Sequence, residues 1–537
     1  MVKDYLKPRT GTVLDKGRSS ARVDAGGVVT KNVSVARSID YNDLKNHDLV
    51  GLEWVGDQAY IVSILTWDQA ATVLGEIDSE YIPEEDDSAY LEVDADEDEE
   101  EEEEAAASSG KQYATFVIAA NDSTDDGKAS ADYVCDGTGD DSEINTALSQ
   151  STTSGYMSAL LLEGTYTIGA SIDQMQSGCT LRGQGDGTIL KLKNSYNSSG
   201  PVIDTSSVSD IEISNLQIDG NRSGQASGAP ECIALSAVTR GIISNVTMVS
   251  AGGYGAWLHS SCSSIQIVEC TVDDCDIGVY VDTCGNIVVA SCVITNIYGW
   301  DGIWFGDTPS GAIVDNLIDT TAYSGIYVGN SGSVGITISG NVCRNCYDYG
   351  IAIAASGDAA ENIAVSGNSC SGSAIGAGII VADGVRVAIS GNACDDNYIG
   401  IEVSSGSSYV NLAGNTVSNS ARHGIDCDGV YCGIFGNNAY LNGRHGIQVG
   451  GTDCSVKGNL CSANSQSAAS TYDNINESGT NNSIQANTCR KGTETNMPAY
   501  GINAGGSGCL VTNNDLRLGG ATGGLGGSPA VSRDNDV

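Results

Sequence analysis

Short runs in which apolar and polar residues alternate recur along most of this 537-residue chain. Many of them begin with Gly-Ile or Gly-Val, as in 302–305 and 325–328, and a second run follows in each repeat, as in 335–338. Alternation with a period of two over four or five residues predicts half-buried strands, whereas a helical repeat would need ten or more residues with a period of 3.6. The pattern therefore predicts two or three very short strands in each repeat.

A tripeptide recurs in phase with these strands. Its first residue is mostly small, its second is Gly and its third is Asn, and successive asparagines are 22 to 27 residues apart. A strand repeat of this length predicts an all-β fold, a parallel β-helix in which each coil pairs with its neighbours at ~4.8 Å. With about 22–28 residues per coil, we expect about 16 coils and a rod of roughly 75 Å. The asparagines are Asn341, Asn368, Asn392, Asn415, Asn437 and Asn459.

The repeated asparagines have a structural explanation. Gly and Asn tolerate the positive φ of a tight corner, and stacked Asn side chains can bond one another. Several cysteines stand two residues after these asparagines, on the same inward face, and we expect free buried thiols there. Disulfides remain an alternative for Cys343 with Cys346 and for Cys427 with Cys432. Neither pair has histidines at zinc spacing, so we expect no metal and no cofactor, with room left for a structural divalent cation.

The charge of the chain narrows the choice of partners. The net charge is −43, and residues 84–104 hold fifteen acids and no base, which predicts an extended linker. Such a surface argues against binding to nucleic acid and suits a high-salt environment. The first residues lack the apolar core of a signal peptide. The sequence also has no stretch of about 18 apolar residues, so we expect no membrane insertion.

The same features predict four segments. Residues 1–83 read as a small β-barrel-like domain, with strands near 12–14, 21–23, 33–36 and 59–62 separated by turns. Residues 84–112 form the acidic linker, 113–518 the parallel β-helix and 519–537 a Gly-rich C-terminal tail. One helix is predicted at 140–148, where Asp141 or Ser142 would cap it and cover the open end of the solenoid.

Three motifs resemble those of the pectate-lyase superfamily of right-handed parallel β-helix proteins, which includes viral tailspikes and tail fibres. They are the Asp132–Asp141 segment with its following helix and 162–168, the segment 179–185, and Leu216-Gln217-Ile218-Asp219-Gly220-Asn221. The resemblance spans roughly residues 113–516. It implies a right-handed coil and a homotrimer. The layout of a compact N-terminal module, an acidic linker and a long solenoid suits a docked appendage, in which the N-terminal domain would attach to other virion proteins.

One region combines acids with aromatic residues. Glycoside hydrolysis needs two carboxylates roughly 5–10 Å apart, a separation that one coil of a β-helix provides. The catalytic candidates are Asp276, Asp282, Asp301 and Asp307. Trp300 and Trp304 add aromatic surface on which sugars stack, and Trp304 should point outward if its neighbours Ile303 and Phe305 point inward. The alternative is that these acids are ordinary solvent-facing residues.

A second region repeats Arg-His-Gly at 422–424 and 444–446, one coil apart. The two arginines and the two histidines should therefore stack. Stacked like charges are unfavourable unless an anion or carboxylate lies between them, and Asp426 and Asp428 are near. Arg422, His423, Arg444 and His445 are thus candidates for ligand binding, with locally satisfied corner residues as the alternative.

These observations favour a virion-surface appendage, such as a tailspike, tail fibre or capsid spike, that recognises a host-surface glycan or glycoprotein. It would be made without a signal peptide and act outside the cell. Binding is favoured over catalysis. A polysaccharide hydrolase or lyase and a purely structural decoration protein remain the alternatives.

Overall fold

The computed structural model describes the strands between residues 9 and 65 and then residues 114–150, 157–330, 332–353 and 360–537. The chain divides into two compact units, Met1–Glu104 and Ala105–Val537. In the first unit five strands form a closed barrel. The fifth strand along the chain lies between the third and the fourth. They are Arg9–Lys16, Ser20–Asp24, Val29–Val35, Leu49–Val55 and Gln58–Leu65. The predicted acidic linker lies outside the described residues, and the domain limits at 83 and 112 stay predictions.

The second unit is a solenoid of about 15 turns, close to the 16 expected, in which successive strands pair in parallel. Two sheets run along it. The fourteen-stranded sheet takes one strand from each coil from residue 203 onward, and neighbouring strands pair in parallel, as Ile303 with Ile326 and Ile326 with Ile351. Its strands are Ile203–Ser206, Ile233–Ser236, Tyr254–His259, Ile277–Asp282, Ile303–Gly306, Ile326–Gly329, Ile351–Ile353, Ala377–Val381, Ile399–Val403, Ile425–Cys427, Ile447–Val449, Ile475–Glu477, Tyr500–Ala504 and Gly523–Gly527.

The thirty-stranded sheet takes the other strands of each coil, and Ala360–Glu361 pairs separately with Gly384–Val385. Its strands are Ala114–Ala119, Tyr133–Val134, Met157–Leu161, Gly164–Ile168, Cys179–Arg182, Thr188–Leu192, Ser209–Asp219, Thr239–Val249, Ser263–Val268, Thr271–Asp273, Gly285–Ala290, Val293–Ile297, Ser310–Val314, Leu317–Thr321, Ile336–Ser339, Val342–Cys346, Ala364–Ser366, Ser369–Ser371, Ala388–Ser390, Ala393–Asp395, Asn411–Ala413, Thr416–Ser418, Gly433–Phe435, Asn438–Tyr440, Ser455–Lys457, Leu460–Ser462, Ser483–Gln485, Thr488–Arg490, Leu510–Thr512 and Val531–Arg533. This confirms the predicted all-β parallel coil.

Among the described residues of the solenoid, two short helices, Asp125–Ser130 and Asp141–Ser149, follow the first strand, and a 3₁₀ turn lies later at Arg222–Gly224. The second helix was predicted, but the expected cap at its first turn is wrong. Asp141 uses its carboxylate to accept the backbone N–H groups of Gly169 and Ala170, at 2.5 and 3.1 Å. A carboxylate that binds the next coil is not available to cap its own helix.

The repeated asparagines form a buried ladder. Each side-chain amide donates to the next Asn oxygen and to a carbonyl of the preceding coil, as Asn341 donates to Asn368 Oδ1 at 3.0 Å and to Ile313 O at 2.8 Å. The positive φ of the corner belongs to the preceding glycine, with φ of 68° at Gly340 and 62° at Gly436. Glycine supplies the turn, so Asn is free to bond along the axis.

All eighteen cysteines are buried and free. Cys343, Cys370 and Cys394 stack on one another in successive coils, as the spacing predicted. The alternative of a disulfide at Cys343–Cys346 or Cys427–Cys432 does not occur in the structure. These thiols fill the narrow corners of the core beside Ile and Val.

The predicted Gly-rich tail is wrong. Gly523–Gly527 pairs with Tyr500–Ala504, and Val531–Arg533 pairs with Leu510–Thr512, so the last residues form another coil. Strand pairing uses only main-chain groups, and a side chain at Gly526 would meet the ring of Tyr500 at 2.9 Å. The glycines therefore permit this coil to close against its neighbour. Among the described residues no helix has the length and apolar character needed to cross a membrane.

Candidate functional site

A row of aromatic side chains runs along the outer face of the fourteen-stranded sheet. Ile303 and Phe305 are fully buried, so Trp304 between them points outward, as predicted. Register places Tyr280 on one side of Trp304 and Tyr327 on the other, and Trp257 beyond Tyr280. The ring centroids of Trp304 lie 5.1 Å from those of both tyrosines. Four consecutive coils thus carry one half-buried aromatic row about 14 Å long.

A second aromatic stack stands at the corner just before these strands. Trp300 and Tyr323 stack at 4.9 Å with planes 15° apart, and they are 46% and 42% exposed. Backbone hydrogen bonds from Tyr323 N to Trp300 O and from Asp348 N to Tyr323 O keep the three residues in line. Trp300 also lies 6.2 Å from Trp304. The corner stack and the outward row therefore meet at an angle.

A partly open cavity of about 220 Å³ lies between the corner stack and the outward row. We call it the aromatic cavity. Aliphatic side chains of an apolar cluster outside the solenoid core, centred on Ala352 and Ile380, line its far side. Its lining residues are Trp300, Asp301, Trp304, Tyr323, Ser324, Tyr327, Asp348, Tyr349, Ala352, Ile380 and Ala382. Five aromatic residues and two carboxylates thus converge on one small space.

Asp301 is only 4% exposed at the wall of this cavity. Its Oδ1 accepts the backbone N–H of Ser324 at 2.7 Å. Burial raises the pKa of Asp301 to about 6, against the lowering effect of this hydrogen bond, and the nearby Asp348 raises it further. Burial also raises the pKa of Asp348. No basic residue is among the described residues that line the cavity.

The structure separates the four predicted acids instead of clustering them. Asp276 and Asp301 precede their strands, whereas Asp282 and Asp307 stand at the opposite ends of the same strands. Asp307 accepts the backbone N–H of Gly332 at 3.0 Å and borders a different hollow beside Pro309. A four-residue strand is roughly 13 Å long, so the two pairs cannot act on the same bond. Of the four, only Asp301 lines the aromatic cavity.

The Arg-His repeat forms a second site at a corner further along. His423 and His445 stack with centroids 5.2 Å apart and planes 5° apart, as predicted. Burial lowers the pKa of His423 to about 3 and that of His445 to about 4. The rings are therefore neutral at pH 7 and need no anion between them, in contrast to the expectation. His423 is 6% exposed, and His445 Nδ1 accepts the backbone N–H of Asp473 at 2.8 Å.

The two arginines of the repeat lie beside stacked acids. Glu402 and Asp426 occupy the outward row in adjacent coils. Burial raises the pKa of Asp426 to about 7, Asp428 and Glu402 add to the shift, and Arg422 and Arg444 oppose it. Asp426 and Asp428 were both foreseen near the arginines. Glu402 was not, since only the strand register brings it there.

In the described part of the chain, two groups of side chains have the composition of a metal site. The thiols of Cys427, Cys432 and Cys454 lie within 4.8 Å of one another and are buried. Cys135, Asp140 and Glu143 form the other group. Asp140 already accepts Gly137 N at 2.8 Å and Thr167 N at 2.7 Å, which commits its carboxylate to the fold.

Sequence reasoning missed Tyr323, Tyr327, Asp348 and Tyr349 of the aromatic cavity. A signal was present, because Tyr323 and Tyr327 follow Trp300 and Trp304 by the same 23 residues. The interval then lengthens, so Asp348 takes the corner position that Tyr323 holds one coil earlier. An irregular repeat has to be aligned in space before such neighbours become visible.

The molecule is thus a parallel β-solenoid with an aromatic and acidic cavity on one outer sheet. The family model described as "Right handed beta helix region" matches residues 158–300, 202–370 and 301–452, more than half of the chain. The chain belongs to this family.

Several solved structures are similar to this chain at low sequence identity. The A-module of mannuronan C-5 epimerase AlgE4 from Azotobacter vinelandii is 17% identical over 74% of this chain and 97% of its own, with a TM-score of 0.35. The tailspike protein of E. coli bacteriophage HK620, solved with a pentasaccharide, is 13% identical over 70% of this chain and 71% of its own, with a TM-score of 0.45. The Dettilon tailspike is 16% identical over 59% and 62%, with a TM-score of 0.44. A comparison with curated protein sequences finds no match.

Proposed function

We propose that this protein recognises a glycan with the outer face of its fourteen-stranded sheet, as a surface appendage of a virion. The observation that carries the proposal is the aromatic row Trp257, Tyr280, Trp304 and Tyr327, joined by the corner stack of Trp300 and Tyr323. Half-buried aromatic rings at the outward positions of a rigid sheet offer apolar surface against which successive sugar rings can pack. The coil spacing of ~4.8 Å is close to the length of one sugar residue.

The charge around the row narrows the glycan class. Asp301 and Asp348 line the aromatic cavity, while Glu402 and Asp426 continue the outward row. A polymer of uronic acids would meet like charges at the cavity. Neutral or amino-substituted glycans are therefore the expected ligands.

The virion location rests on the organisation of the sequence and on its resemblance to tailspikes. A compact N-terminal domain, an acidic linker and a rigid rod suit an attached appendage. Analytical ultracentrifugation at low and high salt would test the implied homotrimer. A stable monomer at both salt concentrations would count against a trimeric spike.

The binding test uses a glycan array that holds neutral, amino and uronic oligosaccharides, followed by titration of the full-length protein. Trp300→Ala and Trp304→Ala should weaken the best ligand by about tenfold or more, because an aromatic anchor contributes roughly 2 kcal/mol. Tyr409→Ala is the matched control, since Tyr409 is 55% exposed and stacks on Tyr431 away from the aromatic cavity. Equal losses in all three variants would contradict the assignment of the sheet face.

Hydrolysis of the same glycan is the second candidate function. It is favoured by Asp301, whose pKa near 6 suits a general acid, and by Asp348 in the same cavity. Incubation with the bound glycan should then release reducing ends, and Asp301→Asn should reduce kcat more than KM. Release of unsaturated uronate would indicate a lyase instead. Binding without any new chain ends would exclude both reactions for that glycan.

A further inference from the structure

The aromatic cavity differs from the open aromatic row beside it. The rings that line it differ in orientation: Tyr323 is nearly parallel to Trp300, Trp304 is tilted by 47° from Trp300, and Tyr327 is 61° from Trp304. A sugar needs one or two parallel platforms. Five aromatic rings and two carboxylates that border one small space instead favour a cation.

The size of the cavity points in the same direction. At about 220 Å³ it is smaller than the ~300–1,000 Å³ of sites that enclose a drug-sized ligand. The cavity can hold a single small substituent of a sugar. The rest of an oligosaccharide would lie outside the cavity, along the outward row.

The acids supply a counter-charge. Asp301 is nearly buried, its carboxylate accepts the backbone N–H of Ser324, and Asp348 faces the same cavity. No Lys or Arg is among the described lining residues to neutralise either carboxylate. A bound cation would restore the charge balance that burial removes.

We propose that the aromatic cavity binds a quaternary ammonium group carried by the glycan ligand. This deepens the function proposed above and rests on it. A trimethylammonium group has no N–H donors and is weakly hydrated, so enclosure by aromatic rings costs it little desolvation. A primary ammonium or a guanidinium would lose strong hydration and would need several acceptors, of which the cavity has few. A neutral sugar would leave Asp301 without a counter-charge.

The test compares two probes of the same shape. Choline and 3,3-dimethylbutan-1-ol differ in that a neutral carbon replaces the charged nitrogen. Isothermal titration of the full-length protein should give choline an affinity roughly tenfold to thirtyfold higher. Equal affinity would mean that the cavity is merely apolar, and no binding of choline would also overturn the proposal.

Variants then separate charge from packing. Asp348→Asn should weaken choline about tenfold and leave the neutral probe unchanged, while Tyr323→Leu should weaken choline more than the neutral probe. Tyr409→Ala, outside the cavity, should alter neither. Equal effects of Asp348→Asn on both probes would contradict a role for its charge.

The two proposals fail in different ways. If neutral glycans bind in a Trp304-dependent manner and choline does not, the cation site is wrong and the glycan function stands. If choline binds in an Asp348-dependent manner and no glycan binds, the glycan function is wrong for this face. Binding of choline-bearing glycans in preference to their unsubstituted forms would support both.

Discussion

The carboxylate of Asp301 accepts the backbone N–H of Ser324, one coil further along the solenoid, at 2.7 Å. Trp300 directly precedes Asp301, and Tyr323 directly precedes Ser324. The bond therefore fixes the corner at which these two aromatic residues stack. It also buries an acid that the fold could have done without. The cost of that burial appears in its pKa and can be measured.

Asp301→Asn should make the protein more stable at neutral pH. The pKa of Asp301 is about 6 when folded and about 3.9 in an unfolded chain. As pH rises between these values the unfolded chain releases the proton first, so stability falls, by about 3 kcal/mol in total. Asn keeps the acceptor for Ser324 without the charge. Urea unfolding at pH 8 should therefore show a gain of about 3 kcal/mol, which disappears near pH 4.

The same variant should lose affinity for a cationic ligand. Such a trade between stability and binding is expected where a charge is buried for function. A variant that is no more stable than the parent at pH 8 would show that the Asp301 carboxylate is better solvated than its burial indicates.

Asn415→Leu should destabilise the solenoid strongly. Asn415 Nδ2 donates to Asn437 Oδ1 and to Ile389 O, both at 2.9 Å, and its Oδ1 accepts from Asn392. Removing it leaves buried groups on both sides without partners, at about 1–3 kcal/mol each. Asn411→Ala, at an exposed strand position, is the control and should change the free energy of unfolding by less than about 0.5 kcal/mol.

An NMR titration of the histidine signals will test whether His423 and His445 are neutral. The pKa values of His423 and His445, about 3 and 4, predict that neither ring titrates between pH 5 and 8. Because the unfolded chain gains these protons near pH 6.5, the pair should make folding less favourable as pH falls below that value. His423→Phe, which keeps the stack, should reduce this loss. A ring that titrates near pH 6.5 would contradict the burial of the pair.

The thiols give a direct check of the core. Mass spectrometry after alkylation without reductant should show no modified cysteine in the folded protein and eighteen after unfolding in guanidinium, because all eighteen are free and buried. A count below eighteen after unfolding would reveal a disulfide. Labelling of the folded protein would instead locate a coil that opens.

The inward residues were predictable because each coil repeats them. Asn341 and Cys343 recur at nearly constant spacing, and a buried side chain must match the one above it. The outward residues follow no such rule, since solvent accepts almost any side chain. Trp304 was found through alternation within its own strand, but Tyr327 and Asp348 required the register between coils.

The predictions that were wrong also depend on how the coils stack, which the sequence repeat does not specify. The acids at 276–307 are close in sequence, yet a strand carries Asp282 and Asp307 to the far edge of the sheet. The Gly-rich C-terminal segment carries no apolar signal, and only main-chain pairing with Tyr500–Ala504 reveals it as a coil. The neutral His pair could not be read from spacing, because a pKa depends on the surrounding burial.

The sequence by itself determined the coil, its inward Asn and Cys ladders and the outward position of Trp304, because a short-range repeat states which residues meet the core. Only the tertiary structure decided that Trp300, Tyr323, Asp301 and Asp348 enclose one cavity. The number of residues per coil varies from one turn to the next, so proximity on the surface depends on how the coils stack and not on the distance along the chain.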